Sequence, residues 1–172
     1  RQVEVELAGP HDHQLRIRSR YPAAYGLAKL SYSGGMKSAL RSEERLPDAA
    51  VPLPKTVPAL FQQTAGRRAD APALFFKAGQ RWVPISWREY ARAVGRLANA
   101  LMSEGLLSQD RVAVWSANRP QWQIADLGIV HAGAVTVAVY ATLAPEQVRY
   151  LLQHSESKIL IVEDRKLLDQ VE

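Results

Sequence analysis

From residue 86 onward the hydrophobic pattern alternates between two periods, and that alternation restricts the fold more than any other feature of the chain. Ser86-Trp87-Arg88-Glu89 reads as a capping box, with Ser86 as the cap and Glu89 reaching back to it. The segment that follows places Trp87, Tyr90, Ala91, Val94, Leu97, Ala98 and Leu101 at helical spacing, and Gly105 stands where a helix closes. Arg111 to Ser116 then reads as a strand. Asn118 is the expected cap of the next helix, with Pro120 in its first turn and Gly133 at its end. Val135 to Tyr140 is a β-branched run of the kind buried on both faces. Pro145 opens a helix with Val148, Leu151 and Leu152 inward, Lys158 to Val162 is a further strand, and Arg165 to Val171 begins another helix. The order α-β-α-β-α-β-α predicts an α/β fold of alternating β/α units with a mostly parallel sheet.

Upstream the signals are weaker. Thr56 is placed to cap a short helix over Val57, Leu60, Phe61 and Ala65 that ends near Gly66. Ala73 to Lys77 and Arg81 to Ile85 read as two strands around Ala78-Gly79-Gln80. Residues 46–58 hold four prolines in thirteen residues, which predicts an extended linker. Before it, Val3, Val5, Leu7, Leu15 and Ile17 alternate with charges around Gly9-Pro10, the pattern of a hairpin. A lone two-stranded hairpin is marginal in water, so this segment needs a partner or stays disordered. The chain therefore divides into a leader over 1–50 and an α/β portion over 51–172 that stops without a closing strand. Met36 offers an alternative native start, which would make residues 1–35 an extension.

Composition excludes several function classes. The 172 residues contain no cysteine, which removes a disulfide scaffold, a cysteine-based zinc site and a thiol nucleophile. The net charge of +5 would suit a nucleic-acid partner, but the excess is spread thinly: residues 1–50 carry 8 basic and 6 acidic residues, and residues 51–172 carry 14 and 11. Phosphate neutralisation needs clustered cations, so no nucleic-acid partner is expected. No apolar run approaches the ~20 residues of a membrane span.

Open α/β folds bind ligands beyond the carboxyl ends of their strands. Three such ends are visible: Ser116-Ala117-Asn118, Tyr140-Ala141-Thr142 and Glu163-Asp164. None carries a glycine-rich nucleotide fingerprint, a P-loop or a nucleophile elbow. The remaining candidates have plain structural readings. His11-Asp12-His13 lacks a third metal ligand at suitable spacing and reads as a polar turn. His131, between Val130 and Ala132, reads as a hydrogen-bonded core histidine rather than a general base. Glu163 and Asp164 diverge in direction as neighbours must, and fit a strand-to-helix turn with a capping carboxylate better than an acid–base pair. Trp87, Trp115 and Trp122 read as packing residues, and Tyr140 and Thr142 as strand-end residues where either a structural or a binding role fits.

A resemblance adds what these residues do not. Thr56-Val57-Pro58-Ala59-Leu60-Phe61, Ile85-Ser86-Trp87-Arg88-Glu89-Tyr90, Asp110-Arg111-Val112-Ala113-Val114, Asn118-Arg119-Pro120-Gln121-Trp122, Ile124-Ala125-Asp126-Leu127, Ala132-Gly133-Ala134-Val135 and Pro145-Glu146-Gln147-Val148 occur in that order. Together they make the stretch from Thr56 to the end resemble the N-terminal part of the AMP-forming acyl-CoA synthetases of the adenylate-forming superfamily, and above all the long-chain fatty acid–CoA ligases. Four positions depart from that family: Gln109 stands where glycine is common, Gln121 where glutamate is common, and Ala138 and Ala141 where a Val-Pro-x-Tyr-Pro-Thr strand end has its prolines.

The resemblance implies an incomplete piece of the large N-terminal domain of an adenylate-forming enzyme. It implies that the parent joins a fatty acid to ATP, with Mg2+, as an acyl-adenylate and passes the acyl group to coenzyme A. The family's phosphate loop, adenine and ribose segments and catalytic lysine come later than residue 172. No catalytic, cofactor-binding or metal-ligating residue is therefore assigned here, and the piece alone is expected to be inactive. A cytoplasmic protein with peripheral membrane contact is the corresponding expectation for localisation. The alternatives are a non-catalytic α/β binding or regulatory module, and a basic interaction domain.

Overall fold

Two strands, β5 (Arg111–Trp115) and β7 (Ile159–Val162), form the centre of the computed structural model. The structure describes residues 54–171 and the backbone of residues 3–7 and 15–18. β5 and β7 run parallel, with Val112 opposite Ile159 and Trp115 opposite Val162. β6 (Val135–Val139) lies parallel on the other side of β5, and β1 (Val3–Leu7) runs parallel beside β7 and pairs antiparallel with β2 (Leu15–Arg18). The sheet order is β2-β1-β7-β5-β6. The pairing of β1 with β2 places a hairpin on the leader segment, while His11-Asp12-His13, Met36 and the first part of the proline-rich segment lie outside the described residues.

Alternation along β5 and β7 sends successive side chains to opposite faces. Val112, Val114, Ile159 and Ile161 meet one layer of helices: α1 (Val57–Arg67), α2 (Trp87–Ser103) and α3 (Pro120–His131). Ala113, Trp115, Leu160 and Val162 meet the other, formed by α4 (Pro145–His154) and α5 (Arg165–Leu168). Each fully buried Val, Leu or Ile on these faces contributes roughly 1.5–3 kcal/mol. A separate antiparallel pair, β3 (Pro72–Ala78) and β4 (Arg81–Ser86), turns on Gly79-Gln80, with Gly79 at φ +60°.

The helix ends follow the sequence closely. Thr56 Oγ1 accepts from Ala59 N–H at 3.3 Å and caps α1. Ser86 and Glu89 form the capping box of α2: Ser86 Oγ accepts from Glu89 N–H, and Ser86 N–H donates to Glu89 Oε2 at 2.9 Å. Two further N–H groups at the start of α2, those of Trp87 and Arg88, donate to the carbonyls of Ala71 and Ala69, so the helix start and the base of the hairpin satisfy one another. Gly105 and Gly133, at φ +85° and +76°, follow α2 and α3 in Schellman turns, closed by Leu106 N–H on Leu101 O and Ala134 N–H on Ile129 O. Gly128 allows α2 and α3 to approach, because a Cβ there would stand 2.7 Å from Leu97 Cδ2.

Three sequence expectations need correction. Asn118 does not cap α3; Arg119 occupies the cap position and its side chain makes no capping bond to the helix start, because the residue before Pro120 is held extended and the helix starts at the proline itself. β6 is not doubly buried: Val135 is 41% exposed and Ala138 is exposed, since β6 is the edge strand of the described sheet. The linker does not reach residue 58, because Val57 and Pro58 already belong to the first turn of α1, where proline lacks only a donor that would go unused. Within α1, Phe61 and Ala65 are buried but Val57 and Leu60 remain exposed.

Gln109 adopts φ +69°, the left-handed conformation that glycine tolerates without penalty. The departure from the family's glycine therefore falls on a residue whose backbone asks for glycine. Gln109→Gly is expected to raise stability by about 1 kcal/mol, read as a higher denaturant midpoint with an unchanged slope. An unchanged midpoint would mean that the Gln109 side chain compensates the strain.

Candidate functional site

The chain runs from β5 through α3 on one face of the sheet to β6, then back through α4 on the other face to β7, passing β5. The connections leaving β5 and β7 consequently part to opposite faces, α3 to one and α5 to the other. In an open α/β sheet the crevice beyond the strand ends at such a point is the usual ligand position.

Here the crevice between β5 and β7 is bridged by the protein's own groups. Glu163 Oε2 accepts from Ala117 N–H at 2.8 Å and from Ser116 Oγ at 3.3 Å, and Glu163 Oε1 lies 3.0 Å from Arg119 Nη1. Glu163 N–H donates to Trp115 O, extending the ladder by one residue. The Arg119 and Glu163 side chains are 14% and 27% exposed, so the pair is shielded from bulk water. Arg119 Nε also donates to Gln121 Oε1 at 3.1 Å. A glutamate at 121 would put a second carboxylate on the same guanidinium. Asp164 turns the other way and accepts from Leu167 N–H at 2.9 Å, capping α5. The adjacent carboxylates thus serve separate structural ends, as their spacing predicts.

Around this bridge the rim is open. Tyr140 is 77% exposed, and Asn118, Ala141 and Thr142 are exposed. Both Ala138 and Ala141 are exposed, so losing the family's prolines there leaves the core untouched. Tyr140 and Thr142 stand on this exposed rim beyond the end of β6.

His131 lies away from the strand ends, on the helical layer. Its Nδ1 is 2.7 Å from Leu127 O, and its Nε2 is 3.2 Å from Gln62 Nε2. With Nδ1–H donating to the carbonyl, Nε2 accepts from the Gln62 amide and ties α3 to α1. Its ring meets Phe61 edge-on at 5.3 Å, and Phe61 in turn packs on Trp87 and Tyr90. Trp122 packs at the edge of the same cluster, and Trp115 is fully buried in the opposite one. All three tryptophans read as packing residues do pack.

Burial, and secondarily the Asp126 carboxylate, push the Tyr90 hydroxyl up to about 12. Between pH 10 and 12 the unfolded chain releases this proton while the folded protein retains it. Stability therefore falls as pH rises through that window, by about 1.4 kcal/mol per pH unit from this group. Absorbance titration should show a late phenolate that disappears in Tyr90→Phe.

Among the described residues no three His, Asp or Glu side chains are grouped to hold a metal ion, and no helix is long and apolar enough to cross a membrane. Arg119, at the crevice, is paired with Glu163, and the described residues do not by themselves fit a triphosphate and its magnesium ion. Sequence reasoning found the strand ends but missed the Arg119–Glu163 bridge. No local pattern links those two residues, and only the juxtaposition of β5 and β7 does.

The architecture and the position of the crevice define an open α/β domain, and comparison with known proteins gives the family. Residues 61–172 match the family model described as AMP-binding enzyme, and the chain belongs to that family. It is 33% identical over 118 residues to the long-chain-fatty-acid–CoA ligase ACSBG2 of Mus musculus, and 28% identical over 127 residues to ACSBG1 of Rattus norvegicus. These matches cover 69% and 74% of this chain and 18% of each relative. Among solved structures, the N-terminal subdomain of Klebsiella oxytoca NpsA, in complex with 3-hydroxyanthranilyl-AMSN, superposes with a TM-score of 0.59 at 29% identity, covering 67% of this chain and 28% of that one. The anthranilate CoA ligase AuaEII, in complex with anthranoyl-AMP, shares the fold at a TM-score of 0.61 and 24% identity, over 70% of this chain and 22% of that one. The chain thus spans under a fifth of the length of the ligases and about a quarter of these structures.

Proposed function

We propose that this chain is the N-terminal portion of an AMP-forming long-chain fatty acid–CoA ligase. The 33% identity to the mouse ligase over 118 residues is the observation that supports this most directly. In this reading the fatty acid carboxylate attacks the α-phosphorus of ATP and pyrophosphate leaves, with Mg2+ accompanying the nucleotide. The thiol of coenzyme A then attacks the acyl carbonyl and AMP leaves. The residues of this chain contribute the scaffold: β5 and β7 set the floor of the crevice, and Glu163 with Arg119 fixes their ends. The donors for the phosphates and the adenine lie beyond residue 172, the 172-residue stretch alone is inactive, and the working protein is cytoplasmic. The division into a leader over 1–50 and a ligase portion over 51–172 belongs to the same proposal, and N-terminal sequencing of the natural protein tests whether it starts at Met36.

Exchange of labelled pyrophosphate into ATP tests the reading. The intact protein should show exchange that depends on a long-chain fatty acid, followed by thioester formation once coenzyme A is added. Absence of exchange across a range of fatty acids would favour a non-catalytic α/β module. Exchange by the 172-residue polypeptide alone would overturn its assignment as scaffold.

A further inference from the structure

β6 ends the described sheet, with β5 as its neighbour. Val135 N–H donates to Asp110 O at 2.8 Å, so the backbone groups of Val135, Val137 and Val139 face β5. Those of the alternate residues Thr136 and Ala138 face outward, where the described residues offer no strand. The register with β5 runs from Val135 to Val139 without a bulge. From Ala132 to Ala144 there is no charged residue and no proline. Edge strands are ordinarily blunted by a charge, a proline or a bulge, and β6 has none of the three. At 138, where the family's strand end has a proline, alanine supplies an outward N–H.

A strand that follows α5 is led away from this edge. α4 carries the chain from β6 past β5 to β7, and α5 leaves β7 on the same face of the sheet. Connections of one hand over one face all move in one direction across a parallel sheet, so the next crossover leads further from β6. A second copy of β6 fits the edge instead. In the antiparallel register that sets Val137 opposite Val137 of the second copy, Thr136 of each copy exchanges both N–H···O bonds with Ala138 of the other. Val135, 41% exposed, then stands opposite Val139 of the second copy on the α4 face, and the exposed Ala138 stands opposite Thr136. These cross-strand pairs are β-branched or small, and no like charges oppose one another.

We propose that β6 pairs antiparallel with β6 of a second copy, about a two-fold axis at Val137, and joins the two sheets into one. The proposal goes beyond the ligase reading and does not depend on it, because the pairing needs neither ATP nor a fatty acid. Fatty acid-dependent pyrophosphate exchange tests that reading separately.

The test is sedimentation velocity of the intact protein over a series of concentrations, which should show monomer and dimer in equilibrium. Ala138→Pro removes an outward N–H from each copy and no bond to β5, so it should weaken the dimer about thirtyfold while the monomer stays folded by circular dichroism. Val135→Lys, at an exposed position, should weaken it about tenfold by setting an ammonium against Val139 of the second copy. Mild oxidation of Val137→Cys should give an intermolecular disulfide absent from the unaltered protein, because directly opposed residues of a non-hydrogen-bonded pair stand about 4.5 Å apart at Cα. Val135→Cys, offset along the strand from its own counterpart, should not cross-link. A monomer at every concentration would overturn the proposal. So would a dimer that both Ala138→Pro and Val135→Lys leave intact, or one that fails to cross-link at 137 or does so at 135.

Discussion

Trp115→Ala is expected to lower the unfolding free energy by about 4 kcal/mol, the largest loss from a single truncation among the described residues. Trp115 is fully buried at the carboxyl end of β5 and is the largest member of the cluster formed with Val139, Val148, Leu160, Val162 and Leu168. That cluster holds α4 and α5 against the sheet. Removing the indole leaves a cavity between three elements that are themselves fixed by the parallel ladder, so the site cannot close around an alanine. Trp115→Phe should cost far less. The indole Nε1 has no hydrogen-bond partner among the described residues, and an unpaired buried donor costs about 1–3 kcal/mol, which the phenyl ring relieves. Urea titration of the purified variants distinguishes the two. A phenylalanine variant as damaged as the alanine variant would show that the indole N–H is satisfied in solution.

Glu163→Ala is expected to cost about 2 kcal/mol, because it removes the carboxylate shared by the Arg119 guanidinium, the Ala117 N–H and the Ser116 hydroxyl, while Arg119 keeps its bond to Gln121 and Ser116 its bond to the Ala117 carbonyl. Glu163→Gln keeps an acceptor for the two neutral donors and loses only the charge, so about half of that loss is expected. In a double-mutant cycle, Arg119→Ala combined with Glu163→Ala should cost clearly less than the two single effects added, with a coupling of about 1–3 kcal/mol. Additive losses would mean that the bridge is absent in solution and that the strand ends are held by the backbone ladder alone. In the ligase reading, the same variants should reduce turnover of the intact enzyme, since the bridge fixes the floor of the crevice without touching substrate.

Much of the fold is legible in the sequence because its strongest signals are local. The switch from a period of two to a period of 3.6, the box at Ser86 and Glu89, and the closing glycines at 105 and 133 each depend on residues a few positions apart. The misreadings have the opposite origin. Val135 to Val139 has the composition of a buried strand, yet burial is decided by what stands on either side, and in the described sheet β6 has a neighbour only in β5. Asn118 is a better cap than Arg119 by residue preference, but Pro120 fixes where α3 begins. The strand ends of the crevice could be located from the pattern, whereas the Arg119–Glu163 bridge could not, since it exists only once β7 is placed beside β5.

By itself the sequence determined the order of helices and strands, the parallel character of the sheet and the family, because periodicity, caps and motif order are properties of the chain read in one dimension. Only the tertiary structure decided which strands neighbour one another, that the crevice is bridged by Glu163, that Gln109 adopts a left-handed backbone, and that the backbone groups of Thr136 and Ala138 face outward from β6. Each of these depends on distances between residues or on a backbone angle, and a linear pattern does not fix either.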